Sequence, residues 1–194
     1  MPFQAPLTLE GPAVRLEPLT LDHVPELCDV GLDPELWRWT VAHVQTEADM
    51  REYVEHALRL QAEGQALPFA TRDLASGRIV GSTRFGSIAP AHRRVEIGWT
   101  WIGRPWQRTV LNTAAKYLML RHAFEAARCI RVEFKTDTLN RTSRAALLRI
   151  GAREEGVLRH HIITDSGRIR DTVYFSILAE EWPTVRATLE QRLA

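Results

Sequence analysis

Apolar and polar positions in this chain alternate in some stretches and recur at helical spacing in others. The changes of period mark its elements. Val14-Arg15-Leu16-Glu17-Pro18-Leu19 alternates and predicts an edge strand, with Pro18 near its end. Thr20 or Asp22 can cap a helix running to about Gly31, and Thr46 begins a Thr-Glu-Ala-Asp stretch resembling a capping box. Met50, Val54, Ala57, Leu58 and Leu60 give the second helix an apolar stripe before Gly64. Period two then returns. Residues 69–74 and 79–88 flank the turn Ala75-Ser76-Gly77 and predict a hairpin, to which residues 93–102 add a third antiparallel strand.

A long helix over residues 114–127 follows, then a strictly alternating strand over 130–136. Asn140 suits the N-cap of a short helix to Ile150, with Gly151 just past its end. Residues 157–163 and 172–178 predict a last hairpin across Asp165-Ser166-Gly167. Trp182-Pro183 opens a closing helix whose stripe is Val185, Leu189 and Leu193. No linker or repeat interrupts this order. It predicts one domain over residues 1–194 of mixed α/β (α+β) class, a largely antiparallel sheet of about seven strands flanked by helices.

At 194 residues such a domain can bury a substantial core, and 45% apolar with 25% charged residues is the ordinary globular range. A net charge of +1 gives no bulk attraction to nucleic acid or to an anionic membrane. Of the 25 basic residues only Lys116 and Lys135 are lysines. An arginine excess suits bidentate phosphate and carboxylate contacts, and it follows equally from genome composition. Cys28 and Cys129 lie far apart without metal-binding spacing, so a reduced, cytoplasmic protein without a metal is expected. Met1-Pro2-Phe3-Gln4 lacks the charged and apolar segments of a signal peptide, and no apolar run approaches a membrane span.

The strongest candidate for chemistry is Gln107-Arg108-Thr109-Val110-Leu111-Asn112-Thr113, a polar turn between a strand and a helix start. Unpaired N–H groups and the helix dipole converge there, which attracts anions such as phosphate. In the strand before it, alternation places Val95, Ile97, Trp99 and Trp101 on one face and Glu96, Gly98 and Thr100 on the other. A carboxylate beside small residues is what a cleft needs, and a cross-strand pair with an arginine such as Arg84 is the competing reading. Asn140 and Ser143 either cap their helix or point at a ligand. His160 and His161 adjoin on a strand and face opposite sides, so at most one shares a site. Trp37 and Trp39 either pack or line a substrate pocket, and Tyr174 faces away from buried Val173 and Phe175, toward a cleft.

This order of elements, with Val95-Glu96-Ile97-Gly98-Trp99 and Asn140-Arg141-Thr142-Ser143-Arg144-Ala145-Ala146, resembles the GCN5-related N-acetyltransferases (GNAT). Within them it is most similar to the branch containing ribosomal-protein N-terminal acetyltransferases. Val132-Glu133-Phe134-Lys135-Thr136-Asp137, Arg149-Ile150-Gly151-Ala152 and Glu155-Gly156-Val157-Leu158-Arg159 support the likeness, which spans about residues 8–193. The resemblance implies acetyl-CoA as cosubstrate, bound between parallel strands 95–102 and 130–136. Trp99, Thr100, Trp101, Gln107 to Thr113, Asn140 and Ser143 would contact it. Val110 and Asn112 stand where the family has small residues, and Arg108 can compensate by gripping a phosphate.

The resemblance further implies direct attack of a primary amine, with Glu96 taking its proton through water and Ser143 donating toward the departing thiolate. Strand N–H groups would polarise the carbonyl. Freeing a proton at pH 7 costs about 1 kcal/mol for an α-amine but roughly 4–5 kcal/mol for lysine, which favours protein N-termini or small-molecule amines. Trp37, Trp39, Glu96, His160 and Tyr174 are the expected acceptor pocket. A non-catalytic CoA-binding sensor of the same fold is the alternative, and a homodimer is one arrangement the resemblance implies.

Overall fold

The computed structural model describes residues 3–4 and 6–194; Met1, Pro2 and Ala5, within or next to the stretch read above for a signal peptide, lie outside them. Eight strands form one sheet: β1 (Leu9–Glu10), β2 (Val14–Pro18), β3 (Leu67–Asp73), β4 (Ile79–Ala89), β5 (Arg94–Ile102), β6 (Arg131–Asp137), β7 (Arg153–Ile163) and β8 (Ile169–Leu178). Their spatial order is β1-β2-β3-β4-β5-β6-β8-β7. Every neighbouring pair is antiparallel except β5 and β6, which are parallel. The sequence reading of about seven strands misses the two-residue β1, which is too short to show a period. It also misplaces residues 14–19 at the edge: β1 pairs outside β2, Leu9 opposite Leu16.

The helices cover the two faces unequally. α3 (Leu111–Arg121) and α5 (Trp182–Leu193) pack on one face, with Val95, Ile97, Leu118, Met119, Val132, Phe134, Val173, Phe175 and Leu189 in that core. α1 (Val24–Gly31) and α2 (Glu47–Ala62) cover the other face with Leu27, Met50, Val54, Ala57, Ala70, Ile79 and Trp101. Thr46 caps α2 in a full capping box with Asp49, as its sequence suggests. α3 passes into a π-helical turn at His122–Ala126, where Ala127 N–H donates to the His122 carbonyl.

On this second face, α1 and α2 pack over the first half of the sheet. Over β5, β6 and β8 the face instead carries Glu96, Glu133, Lys135, Asp137, Arg170, Thr172, Tyr174 and Ser176, opposite in alternation to the apolar core residues. A strand face this polar does not serve as core. It is the natural floor of a site.

Candidate active site

β5 and β6 are paired only over Arg94–Glu96 and Arg131–Glu133. From Ile97 onward the β6-facing edge of β5 has no strand partner. α4 (Arg141–Arg149) follows β6, and Asn140 caps it, its Oδ1 accepting the Ser143 N–H at 3.0 Å. The capping reading of Asn140 is therefore realised. The Ser143 hydroxyl makes no hydrogen bond among the described residues, so it is free to donate.

A bulge decides what β5 presents. Ser82 pairs with Trp101 and Arg84 with Gly98, so Trp99 and Thr100 together oppose Thr83. Trp99 takes a φ of +50°, uncommon for a residue with a Cβ. The extra residue reverses the alternation: Val95 and Ile97 face α3, whereas Trp101 lies against α1 and α2. The expectation that Val95, Ile97, Trp99 and Trp101 share one face is thus corrected. Thr100 faces α3, where its Oγ1 accepts from Lys116 Nζ at 2.5 Å and lies 2.7 Å from Thr83 Oγ1. Lys116 is buried without an acidic partner among the described residues, and burial lowers its pKa to about 7. The side chains of Thr100 and Trp101 are committed to the fold, so only their backbone edge remains for a ligand.

Glu96 is 4% exposed. Its Oε2 lies 2.8 Å from Lys135 Nζ and accepts from Ser87 Oγ at 3.0 Å. Gly98 makes room for this arrangement, since a Cβ there would come within 3.0 Å of Glu96 Oε1. Burial opposes the charge on Lys135, but the Glu96 carboxylate and Tyr174 outweigh it and raise the lysine above its ordinary pKa. The Tyr174 ring faces Lys135 Nζ at 5.1 Å. The cross-strand partner suggested by sequence, Arg84, does not bond Glu96. β6 supplies the cation instead, because the parallel register sets Glu96 beside Glu133 and brings Lys135 alongside.

Arg84 is fully buried, and its Nε, Nη1 and Nη2 have no hydrogen-bond partner among the described residues. Its guanidinium lies between the rings of Tyr53 and Trp99, 5.0 Å from each centroid. Such contacts are worth about 2 kcal/mol each when desolvated, against an ion-burial cost of several kcal/mol, and they match none of the five N–H donors. Trp99 lies over Gly86, where a Cβ would meet ring atom Cζ3 at 2.4 Å. Trp99, Gly86, Ser87 and Arg94 border a cavity of about 480 Å³, and Ser87 is the residue that bonds Glu96.

The expected acceptor residues divide. Trp37 is core: its Nε1 donates to the Gly31 carbonyl at 2.7 Å, and its ring packs on Tyr53 and Trp101. Trp39 is half-buried with the guanidinium groups of Arg38 and Arg168 over its ring. His160 is exposed and stands on an irregularity of its strand. Two extra residues bulge from β7 between Leu158 and Ile162, His160 takes a φ of +47°, and its N–H donates to Asp171 Oδ1. That irregularity brings His161 to Tyr174, with ring centroids 5.9 Å apart.

The polar turn comprises a short 3-10 turn at Arg104–Trp106 and then residues 107–110. Gln107 Nε2 donates to the Ile102 carbonyl at 3.0 Å, tying the turn back to β5. Arg108 adopts φ +61° without being glycine. Thr109 Oγ1 donates to the Trp106 carbonyl and accepts the Leu111 N–H. Ala114 N–H is the first to close a helical bond, onto the Val110 carbonyl, which leaves the Asn112 and Thr113 amides of α3 open. Leu111 packs in the core and its N–H is taken by Thr109, whereas Thr113 keeps an open N–H. Arg108, Thr109, Val110, Thr113, Arg149 and Arg192 line an open cavity of about 520 Å³. Arg149 and Arg192 went unnoticed in the sequence because they stand at the far ends of α4 and α5.

Among the described residues no group of three or more His, Cys, Asp or Glu could hold a metal ion. No described helix is long and apolar enough to cross a membrane.

A strand pair that stops pairing at a buried carboxylate, beside an anion-attracting helix start, defines a cosubstrate-binding transferase fold. Residues 13–153 match the family model described as acetyltransferase (GNAT) domain, and the chain belongs to that family. It is 33% identical over 109 residues to a Bacillus subtilis (strain 168) protein that carries the name ribosomal N-acetyltransferase YdaF, an alignment covering 56% of this chain and 58% of that protein. The chain thus spans just over half the length of the curated relatives it matches. A GCN5-related N-acetyltransferase from Brucella melitensis is 31% identical with a TM-score of 0.91, covering 99% of this chain and 87% of the other. Mycobacterium smegmatis RimJ, solved in complex with CoA-disulfide, is 26% identical with a TM-score of 0.82, covering 97% and 95%.

Proposed function

We propose that the protein moves an acetyl group from acetyl-CoA to a primary amine, at a protein N-terminus or on a small molecule, by direct attack in a ternary complex. The observation that carries this reading is the buried Glu96 carboxylate, held by Lys135 and Ser87 where the parallel strands cease to pair. A carboxylate fixed by two partners in a buried position can accept a proton from a group placed against it.

The donor set at α3 fits a phosphorylated cosubstrate: open backbone amides, a helix start and the three arginines 108, 149 and 192. Bound acetyl-CoA would supply an activated acyl carbon as a thioester. Asn140 orients the start of α4, and Ser143 keeps a free hydroxyl to donate a proton to a leaving thiolate. The unpaired edge of β5 beyond Glu96 offers backbone N–H groups to a developing oxyanion. Glu96 accepts the amine proton, directly or through one water, and Lys135 holds the carboxylate in position.

The name of the relative YdaF supports ribosomal-protein N-termini as acceptors to try first. Val110 and Asn112 at the loop positions favour the second reading, a CoA-binding sensor without turnover. Purified protein with acetyl-CoA and a panel of ribosomal-protein N-terminal peptides and small amines separates the two. Thiol release that depends on the amine, with mass spectrometry locating the acetyl group, is the expected result. Tight acetyl-CoA binding with no thiol release from any amine would leave the sensor.

A further inference from the structure

We propose that Arg84 is an anion-recognition residue of the acceptor pocket, with Trp99 as its cover, and that the acceptor is a primary amine that also carries a carboxylate. The acceptor part of this inference rests on the reading of the site as an amine acetyltransferase; the binding of a carboxylate does not.

Three observations converge. Arg84 is 0% exposed, yet Nε, Nη1 and Nη2 have no partner among the described residues. A guanidinium presents five N–H donors in a rigid fork, the geometry that a carboxylate fills with two parallel hydrogen bonds. The Tyr53 and Trp99 rings lie against it, and a cation held by ring faces keeps its in-plane donors for a ligand.

The cover is the least buried part of the stack. Tyr53 is 8% exposed and anchored through its hydroxyl, which donates to the Trp99 carbonyl at 3.3 Å, whereas Trp99 is 39% exposed. Trp99 sits on the bulge with φ +50°, and its ring borders the cavity that also contains Ser87. Ser87 in turn holds Glu96. On this proposal a swing of the indole uncovers the guanidinium next to the cavity whose wall residue Ser87 bonds Glu96.

Charge supports an acidic occupant. On this face Lys135 pairs with Glu96, Arg94 and Arg131 with Glu133, and Arg168 with Asp137, so all three carboxylates are already matched. Arg84 and the buried Arg170, whose Nε is also unpartnered, are left as excess cations. An anionic group on the ligand balances this surplus, and a second cation would add to it.

The test compares dipeptide amides that begin with glutamate or glutamine, and with aspartate or asparagine. Each pair differs only in carboxylate against carboxamide. Binding is followed by calorimetry and by tryptophan fluorescence, without acetyl-CoA, so that failure to acetylate cannot be mistaken for failure to recognise. The acidic member of at least one pair is expected to bind roughly 10- to 100-fold more tightly, with a change in tryptophan emission. Arg84→Met, close in volume and without unmatched donors, is expected to melt at the same or a higher temperature and to bind both members alike. Trp99→Phe keeps a ring over Arg84 and is expected to preserve the preference. Equal binding of acid and amide by the wild type, or a preference that survives in Arg84→Met, overturns the proposal. So does a large drop in the melting temperature of Arg84→Met, which would make Arg84 a structural pillar.

Discussion

Lys135 Nζ lies 2.8 Å from Glu96 Oε2, bridging two parallel strands at the level where their hydrogen bonding ends. The pair joins the proposed base to β6, the strand that runs parallel to β5. Neither partner is an ordinary surface charge: the two side chains are 23% and 6% exposed. Removing one therefore leaves the other in an environment that disfavours its charge.

The first prediction concerns Lys135 in a Glu96→Gln variant. In the wild type burial lowers its pKa, but Glu96 and Tyr174 outweigh burial, so the folded value is raised. That contribution to stability is present below the unfolded lysine value and is lost as pH rises through the folded one. Without the carboxylate, burial dominates and the lysine pKa falls below its ordinary value. Titration of the Lys135 Cε resonance by NMR in both proteins checks this. An unchanged titration would show that the pair is absent in solution.

Arg108 plays two separable parts. Its φ of +61° costs the loop strain that glycine would relieve, while its guanidinium borders the cavity at the start of α3. Arg108→Gly is expected to match or exceed wild-type stability and to bind acetyl-CoA roughly 5- to 20-fold more weakly, the effect shrinking at high salt. Arg108→Ala should lose the same affinity without relieving the backbone. Calorimetric titration of both variants decides whether the guanidinium or the backbone carries the site.

Much of this architecture is legible in the sequence, and the failures have physical causes. The capping box at Thr46, the hairpin around Ser76 and the cap at Asn140 all declare themselves through local chemistry, because their partners lie within a few residues. Glu96 is legible as a buried carboxylate beside Gly98, but its partner is not. Lys135 lies 39 positions away, and only the parallel register brings it near. The bulges at Trp99 and at His160 are invisible to a strict count of two, since one or two extra residues shift everything beyond them. Alternation in β6 did carry a usable signal: Arg131, Glu133 and Lys135 share a face, which is unusual for a strand with neighbours on both sides.

Lys116 gives a prediction about stability alone. Burial lowers its pKa from 10.5 to about 7. Between those values the unfolded chain binds a proton that the folded chain does not, so stability rises with pH across this window and flattens below it. The slope approaches about 1.4 kcal/mol per pH unit. Lys116→Met should remove this component of the slope, as urea unfolding at pH 7, 8 and 9 would reveal. A wild-type slope retained by the variant would place the titrating group elsewhere.

Gly86 tests the position of the Trp99 ring. A Cβ there would lie 2.4 Å from Trp99 Cζ3, too close for the ring to stay. Gly86→Ala is expected to displace the indole, at a cost of roughly 1–3 kcal/mol, and to shift tryptophan emission to longer wavelength. Emission and stability equal to wild type would mean that the ring does not rest on Gly86.

The central claim is that Glu96 takes a proton from an amine during acetyl transfer. Single-turnover thiol release, with a saturating amine and acetyl-CoA, compares the wild type with Glu96→Gln most directly. The account predicts a fall of roughly 10²- to 10⁴-fold in the variant, with acetyl-CoA affinity unchanged by calorimetry. Equal rates in the two proteins would contradict it and remove Glu96 from the chemistry.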